Sequence, residues 1–260
     1  MKTAVLFSGG LDSAVLLAEE AARGDVQPMY VTVGLAWEAR EREAVARLLA
    51  HQAFRRAGAL VTLGIDMRDV YDAAHWAVQG TPPAYHTPDE DVYLPGRNIV
   101  LLGKAGVYCA TAKLERLVLG TLSHNPFPDA TPTFRATMAE ALSLGLAHTL
   151  RIEAPYAEVG KAQVIRRGLA LGVPFELTLS CMSPIEILGV REVGKVHEVG
   201  KVHEVRAPRV EREPRELREP RAPSFLHCGT CSKCRERHDA FLEVGVTDAT
   251  HYVDQRYVRA

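Results

Sequence analysis

The chain has no surplus of either charge: 31 lysines and arginines stand against 32 aspartates and glutamates, a formal net charge of −1. That balance removes the field that would hold the whole molecule to nucleic acid or to a membrane surface, so a small partner is expected and nucleic acid is not. Long apolar runs are also missing. The stretch Ala4-Val5-Leu6-Phe7 is cut off by Gly9 and Gly10, too soon for a signal-peptide core or a membrane span, and a cytoplasmic protein is expected. Cysteine is sparse, five in 260 residues. The count is odd, and Cys228, Cys231 and Cys234 fall within seven residues, a clustering that in a reducing compartment favours metal over disulfides. Finally, the glycine turn after Phe7 contains no lysine, which excludes a Walker loop.

The composition, 47% hydrophobic and 24% charged, is that of a globular chain long enough to bury a substantial core. Ala4 to Phe7, Met29 to Val33, Val61 to Ile65 and Leu117 to Gly120 read as strands. Between them lie helical stretches that begin at Ala14, span about Glu38 to Ala57, and span about Val100 to Lys113. Strands alternating with helices imply an α/β fold with a doubly wound parallel sheet. In such a sheet the loops after Phe7, Val33, Ile65 and Gly120 face one ligand crevice.

Ser8-Gly9-Gly10-Leu11-Asp12-Ser13 places two glycines where a strand turns into a helix. Backbone N–H groups and the helix dipole then converge on an anion. Ser8 and Ser13 can donate to phosphate oxygens; Asp12 beside an anion calls for a shared Mg²⁺ ion or a role in orienting the loop. These six residues resemble the fingerprint of the PP-loop ATP pyrophosphatases, which are adenine nucleotide alpha hydrolase-like in fold. The resemblance implies ATP binding by residues 8–13, attack of a substrate oxygen on the α-phosphate, and departure of pyrophosphate. Asp12 and Ser13 are the catalytic candidates of the loop. With no loop lysine, Mg²⁺ and basic residues from elsewhere must neutralise the leaving group.

Cys228, Cys231 and Cys234, with Cys181 as a fourth ligand, suit a closed tetrahedral site, structural rather than catalytic. Four thiolates also suit an iron–sulfur cluster; structural Zn²⁺ is favoured, because nothing else in the sequence calls for electron transfer. Cys109, in Val107-Tyr108-Cys109-Ala110, reads as a small core residue. The expected organisation is a nucleotide-binding α/β domain over 1–178 and a small helical zinc region over 179–260. A low-complexity insertion at about 187–223 interrupts the second part: Glu192-Val-Gly-Lys-Val-His recurs at Glu198, and Arg, Glu and Pro follow. Such composition reads as a solvated, flexible arm, with metal binding at His197 and His203 as the sharper alternative.

Taken in order with the phosphate loop, Tyr93-Leu94-Pro95-Gly96-Arg97-Asn98, Leu179-Ser180-Cys181 and Cys228-Gly229-x-Cys231-x-x-Cys234-x-x-Arg237 resemble the 7-cyano-7-deazaguanine synthase family, from Ala4 to about Tyr252 apart from the insertion. The resemblance implies an ATP-dependent ligase that uses ammonia to turn a deazapurine carboxylate into a nitrile on the route to queuosine and archaeosine. It makes Arg97 and Lys161 catalytic candidates, and Arg97, Asn98, Phe127 and Asp129 substrate-binding ones. ATP, ammonia and a deazapurine carboxylate are the expected partners, with a second copy of the chain as a further candidate. The segment Ser123 to Thr131 departs from the family pattern: Ala130-Thr131 replaces Cys-Arg, and Leu179 and Met182 replace Trp and Tyr around Cys181. The departures take aromatic surface and an arginine from the pocket. A sister PP-loop enzyme acting on another carboxylate or on tRNA is therefore the second reading, and a nucleotide-sensing or nucleic-acid-binding zinc knuckle the third.

Overall fold

A computed structural model describes residues 2–123, 125–187 and 224–257. His124 and almost all of the low-complexity segment, with His197 and His203, lie outside the described residues. Five parallel strands form the main sheet: β1 (Thr3–Leu6), β2 (Val26–Thr32), β3 (Val61–Gly64), β4 (Arg116–Val118) and β5 (Arg151–Glu153), in the order β3-β2-β1-β4-β5. β1 is central because it is apolar on both faces. Val5 and Phe7 pack into one cluster with Leu16, Val45 and Ile165, whereas Ala4 and Leu6 pack into another with Leu102, Cys109 and Leu150.

The helices cover both faces, as a doubly wound sheet requires. The first cluster is closed by α1 (Leu11–Arg23), α2 (Glu38–Ala50), α6 (Lys161–Ala170) and α7 (Ser232–Val244); the second by α4 (Arg97–Thr111) and α5 (Pro132–Leu146); a short α3 (Trp76–Gln79) lies between β3 and α4. α1 shows why this happens locally: Leu11, Ala14, Val15, Ala18 and Ala21 are buried at the 3–4 spacing of one helical face, and Asp12 and Arg23 sit at the ends that the dipole favours. Ala240 and Phe241 of α7 belong to the same cluster as β1. Among the described residues no helix is long and apolar enough to cross a membrane.

Two expectations need correction, and three elements are additions. The helix read as Glu38 to Ala57 stops at Ala50, where His51 turns extended and its Nδ1 accepts from Ala53 N at 3.2 Å, capping a separate 3-10 turn. The helix read from Val100 begins at Arg97, after Gly96 at φ 77°. β5, α5 and α6 were not anticipated.

Between β6 (Ile185–Glu186) and β7 (Phe225–Leu226) the chain leaves and returns through an antiparallel stem, closed further by Ile187 N donating to Ser224 O at 2.8 Å. The low-complexity segment is attached there.

Candidate active site

The sheet order reverses between β1 and β4, and a ligand crevice opens outside the carboxyl ends of strands at such a switch point. Here the loop after β1 faces the one after β4 so closely that a Cβ added to Gly120 would lie 3.4 Å from the Asp12 carbonyl carbon. Gly9 adopts φ 78°, a left-handed conformation that side chains disfavour, and packs on Val45 and the Glu41 carbonyl. The turn is braced internally: Ser13 Oγ donates to Gly10 O at 3.0 Å and lies 3.3 Å from Ser8 Oγ. Leu179 N donates to Gly9 O at 2.9 Å, which ties the loop to the segment leading into Cys181.

The crevice has two lobes of about 310 Å³ each, both lined by Ser8, Gly10, Asp12, Arg97 and Phe127. One adds Tyr30, Tyr93, Asn98 and Asp129; the other adds Trp37, Lys161, Met182 and Glu236. The loops after β1 and β4 thus face one crevice as expected. Ile65 does not line it: Asp66 and Arg68 form an exposed ion pair at 2.6 Å, while Met67 and Tyr71 turn inward to pack with Val33 and Trp37.

Asp12 Oδ2 pairs with Lys161 Nζ at 3.0 Å, while its buried Oδ1 has no partner. Burial raises the Asp12 pKa, with Lys161 pulling the other way. Lys161, first residue of α6, also pairs with Glu236, and Glu236 Oε2 accepts from Lys233 Nζ at 2.6 Å. Burial disfavours the Lys161 ammonium, but Asp12 and Glu236 outweigh it and leave its pKa raised. Arg97 stands at the first position of α4 with its Nε buried and unpartnered.

Asp129 lines the crevice with its carboxylate already engaged: Oδ2 accepts from Asn98 N at 3.0 Å and Oδ1 from Asn98 Nδ2 at 3.3 Å. Together Asn98 and Asp129 hold the first turn of α4 against the 3-10 turn Pro128–Ala130. Phe127 stacks on Tyr93 with centroids 5.2 Å apart, and Met182 packs with Trp37. Tyr93 and Phe127 line one lobe, Trp37 and Phe127 the other, and Arg97 brings a guanidinium to both.

Among the crevice residues that the sequence reading did not single out are Tyr30, Trp37 and three charged ones, Glu41, Lys233 and Glu236. Glu41 Oε2 accepts from the Tyr30 hydroxyl at 2.8 Å. Burial raises the Glu41 pKa, opposed by Arg97 and by the tyrosine. Glu41 belongs to no motif, and Lys233 and Glu236 occupy unspecified positions of the cysteine motif; each reaches the site from a helix remote in sequence from the loop.

The four cysteines do come together. Their Sγ atoms all lie within 4.8 Å of one another and all four residues are buried. Backbone N–H groups of Ser183 and Cys228 donate to Cys181 Sγ at 3.3 Å, and that of Thr230 to Cys228 Sγ at 3.4 Å. Cys109 sits apart in the core, and burial pushes its thiol up to about 12.

A switch-point crevice, an anion loop at a helix N-terminus and a buried four-thiol cluster define a nucleotide-binding α/β protein with a metal-ready knuckle. Residues 2–191 match the family model described as "Queuosine biosynthesis protein QueC", and the chain belongs to that family. It is similar to proteins called 7-cyano-7-deazaguanine synthase from Geobacter sulfurreducens and Methanopyrus kandleri. Each is 30% identical to it across 97% of this chain, and the matches span 93% and 99% of those proteins. A solved structure described as "U34-tRNA thiolase NcsA from Methanococcus maripaludis with its [4Fe-4S] cluster" is 13% identical at a TM-score of 0.41, covering 67% of this chain and 57% of that one. A likeness that distant carries no argument about this chain.

Proposed function

We infer that the chain is an ATP-dependent ligase that converts 7-carboxy-7-deazaguanine and ammonia into the 7-cyano-7-deazaguanine nitrile. The observation that carries this is the family match over residues 2–191 together with the β1–β4 crevice, where the residues of the phosphate loop line the same walls as Arg97 and Phe127. A carboxylate oxygen attacks the α-phosphate, pyrophosphate leaves, and ammonia displaces AMP to give an amide. A second adenylation, on the amide oxygen, then allows loss of AMP to the nitrile.

Within that scheme the N–H groups at the start of α1 and the Ser8 hydroxyl hold phosphate oxygens, and the Ser13 hydroxyl does so in exchange for its bond to Gly10 O. Arg97 offers a planar fork to a carboxylate or phosphate. Lys161 orients Asp12. Trp37, Tyr93 and Phe127 provide the stacking surface for a planar heterocycle. Asp129 keeps a second lone pair on each oxygen for the amino edge of that ring, beyond the bonds it accepts from Asn98. Mg²⁺ bound with ATP would be held at the unpartnered Asp12 Oδ1, where it would neutralise phosphate charge.

Zn²⁺ fits the cysteines. At a Zn–S distance of about 2.3 Å, tetrahedral thiolates stand about 3.8 Å apart, and Cys228 and Cys231 lie 3.9 and 3.5 Å from Cys234. In a four-iron cube each thiolate binds a different corner, which spreads the sulfurs wider than this grouping. The ion would be structural. We also read residues 1–178 as the nucleotide-binding unit and 179–260 as the knuckle region built onto it.

The test is pyrophosphate release from ATP with 7-carboxy-7-deazaguanine and ammonium each added or withheld. Release that depends on the deazapurine, with nitrile formed only when ammonium is present, is expected. Release that ignores the deazapurine would turn the assignment toward another carboxylate.

A further inference from the structure

Lys233 is set between two metal-ligating cysteines in the first turn of α7, and it lines both lobes of the crevice beside Ser8, Gly10 and Asp12. The first turn is the wrong end of a helix for a cation, since the backbone dipole there is positive. Against that field stands, among the described residues, only its i,i+3 pair with Glu236 at 2.6 Å, a kind of helix contact that contributes little by itself.

The two lysines of the cluster differ. Lys161 is 13% exposed and lies between two carboxylates, Asp12 and Glu236, so its charge is already matched on both sides. Lys233 is 28% exposed, and its one ion pair among the described residues is with Glu236, a carboxylate that Lys161 also holds. Were Lys233 to let go, Glu236 would keep a cationic partner. Asp12, Glu236, Lys161 and Lys233 sum to zero charge, so this cluster frees a cation for a pyrophosphate only when one pair opens, in addition to the Arg97 guanidinium that lines the same lobes. Lys233 is the member that can open it, having three donors on a flexible stem. The Leu179 N to Gly9 O bond holds the neighbouring Cys181 segment in register with the loop.

We propose that Lys233 binds the leaving pyrophosphate, supplying the cation that the lysine-free glycine loop lacks, so that the cysteine knuckle contributes a catalytic residue to the nucleotide site. The proposal rests on the ATP-binding reading of residues 8–13. Pyrophosphate oxygens take the place of Glu236 Oε2 on Lys233 Nζ, while Lys161 retains Glu236; no bond to the protein is made or broken beyond these ion pairs.

The experiment is calorimetric titration of the zinc-loaded protein with inorganic pyrophosphate and with the non-cleavable analogue α,β-methylene-ATP, in Mg²⁺ buffer. Wild type, Lys233→Gln and Lys233→Arg are compared, with zinc content measured on each. Lys233→Gln should weaken pyrophosphate binding about tenfold, the size of one charge-assisted hydrogen bond, with zinc content unchanged. Lys233→Arg should restore most of the loss. Unchanged pyrophosphate affinity in Lys233→Gln overturns the proposal and leaves the ATP reading standing. Failure of the wild type to bind either ligand overturns both. Should Lys233→Gln lose zinc, Lys233→Met, which keeps an unbranched stem without its charge, takes its place under the same zinc measurement. Weaker pyrophosphate binding in a zinc-loaded variant supports the proposal, and unchanged binding overturns it.

Discussion

Helix α7 carries two ionic clusters of opposite character. Arg237 is wholly buried, and its five N–H donors have five acceptor contacts: Nε and Nη2 reach the two Asp248 oxygens at 2.8 and 2.9 Å, Nη1 reaches Thr178 Oγ1 at 2.7 Å and Ser180 Oγ at 3.4 Å, and Nη2 also reaches Phe175 O at 3.0 Å. Lys233, one turn earlier, and the adjacent Glu236 join Lys161 and Asp12 around a crevice, with Asp12 Oδ1 unpartnered. The first cluster has no bonding capacity left and so can only stabilise. The second retains capacity on the side open to a ligand, which is what binding requires.

The largest test of this contrast removes what both clusters stand on. Cys231→Ser, or a chelator, should cost most of the fold of the C-terminal segment, since a structural zinc site contributes roughly 10 kcal/mol or more. Metal analysis and thermal melting read the outcome; a well-folded Cys231→Ser protein without metal would show that the knuckle is not structural.

Next, Asp248→Asn strips the closed cluster. A buried arginine left without its carboxylate costs about 3–5 kcal/mol, so the melting temperature should fall while pyrophosphate release per folded molecule stays near wild type. The pH dependence has a definite sign. Burial works to raise the Asp248 pKa, but Arg237 outweighs it and brings the pKa down from 3.8 to about 2. A carboxylate with a depressed folded-state pKa contributes stability that is complete above its unfolded value and lost as pH falls through the folded one. The gap in melting temperature between wild type and Asp248→Asn should therefore be full at pH 6 and shrink between pH 4 and pH 2. A gap that widens in acid would refute the pairing.

Asp12→Asn does the reverse to the open cluster. Pyrophosphate release should drop by about 10²-fold or more, as for loss of a preorganised electrostatic group. The melting temperature should stay within about 4 °C, the span of 1 kcal/mol in a chain of this size, because burial already disfavours this carboxylate. A collapse in stability with activity retained would erase the distinction between the clusters.

The smallest effect belongs to the segment attached to neither. Deleting Gly194 to Arg218, which lies outside the described residues, should leave zinc content and turnover nearly unchanged. Loop closure changes by only about 0.6 kcal/mol per doubling of length, and the β6–β7 stem holds the ends together. A folded but inactive deletion variant would give the segment a working role.

What the sequence disclosed and what it withheld divide by distance along the chain. The loop from Ser8 to Ser13 is legible because one turn and one helix start hold all its parts, and the cysteines because their spacing is itself the geometry. β1 to β4 were legible as apolar runs. β5 was not: it is three residues, Arg151-Ile152-Glu153, whose one buried side chain makes no pattern. α5 escaped for a different reason: Phe134, Met138 and Leu142 face the second cluster at a spacing of four, but Ala136, Ala141 and the exposed Leu144 spread apolar residues round the helix and blur that stripe. Nothing between Ala50 and Ala57 breaks a helix in composition; the stop depends on a bond from Ala53 N to the His51 ring. Glu41, Lys233 and Glu236 reach the crevice only once α2 and α7 have docked, a condition set by tertiary packing.

The central position of β1 has a consequence for how the molecule comes apart. Strand edges and stems open locally at small cost, whereas a strand paired on both sides and covered on both faces exchanges its amide protons only when the whole sheet opens. β1 is paired with β2 and β4, Ala4 and Val5 are fully buried, and Phe7 N still donates to Met29 O at the point where the loop begins. Amide exchange should be slowest across Ala4 to Phe7 and fastest at the β6–β7 stem. The phosphate loop is thus anchored to the last part of the protein to let go, so mild denaturant should fray the periphery well before it abolishes nucleotide binding.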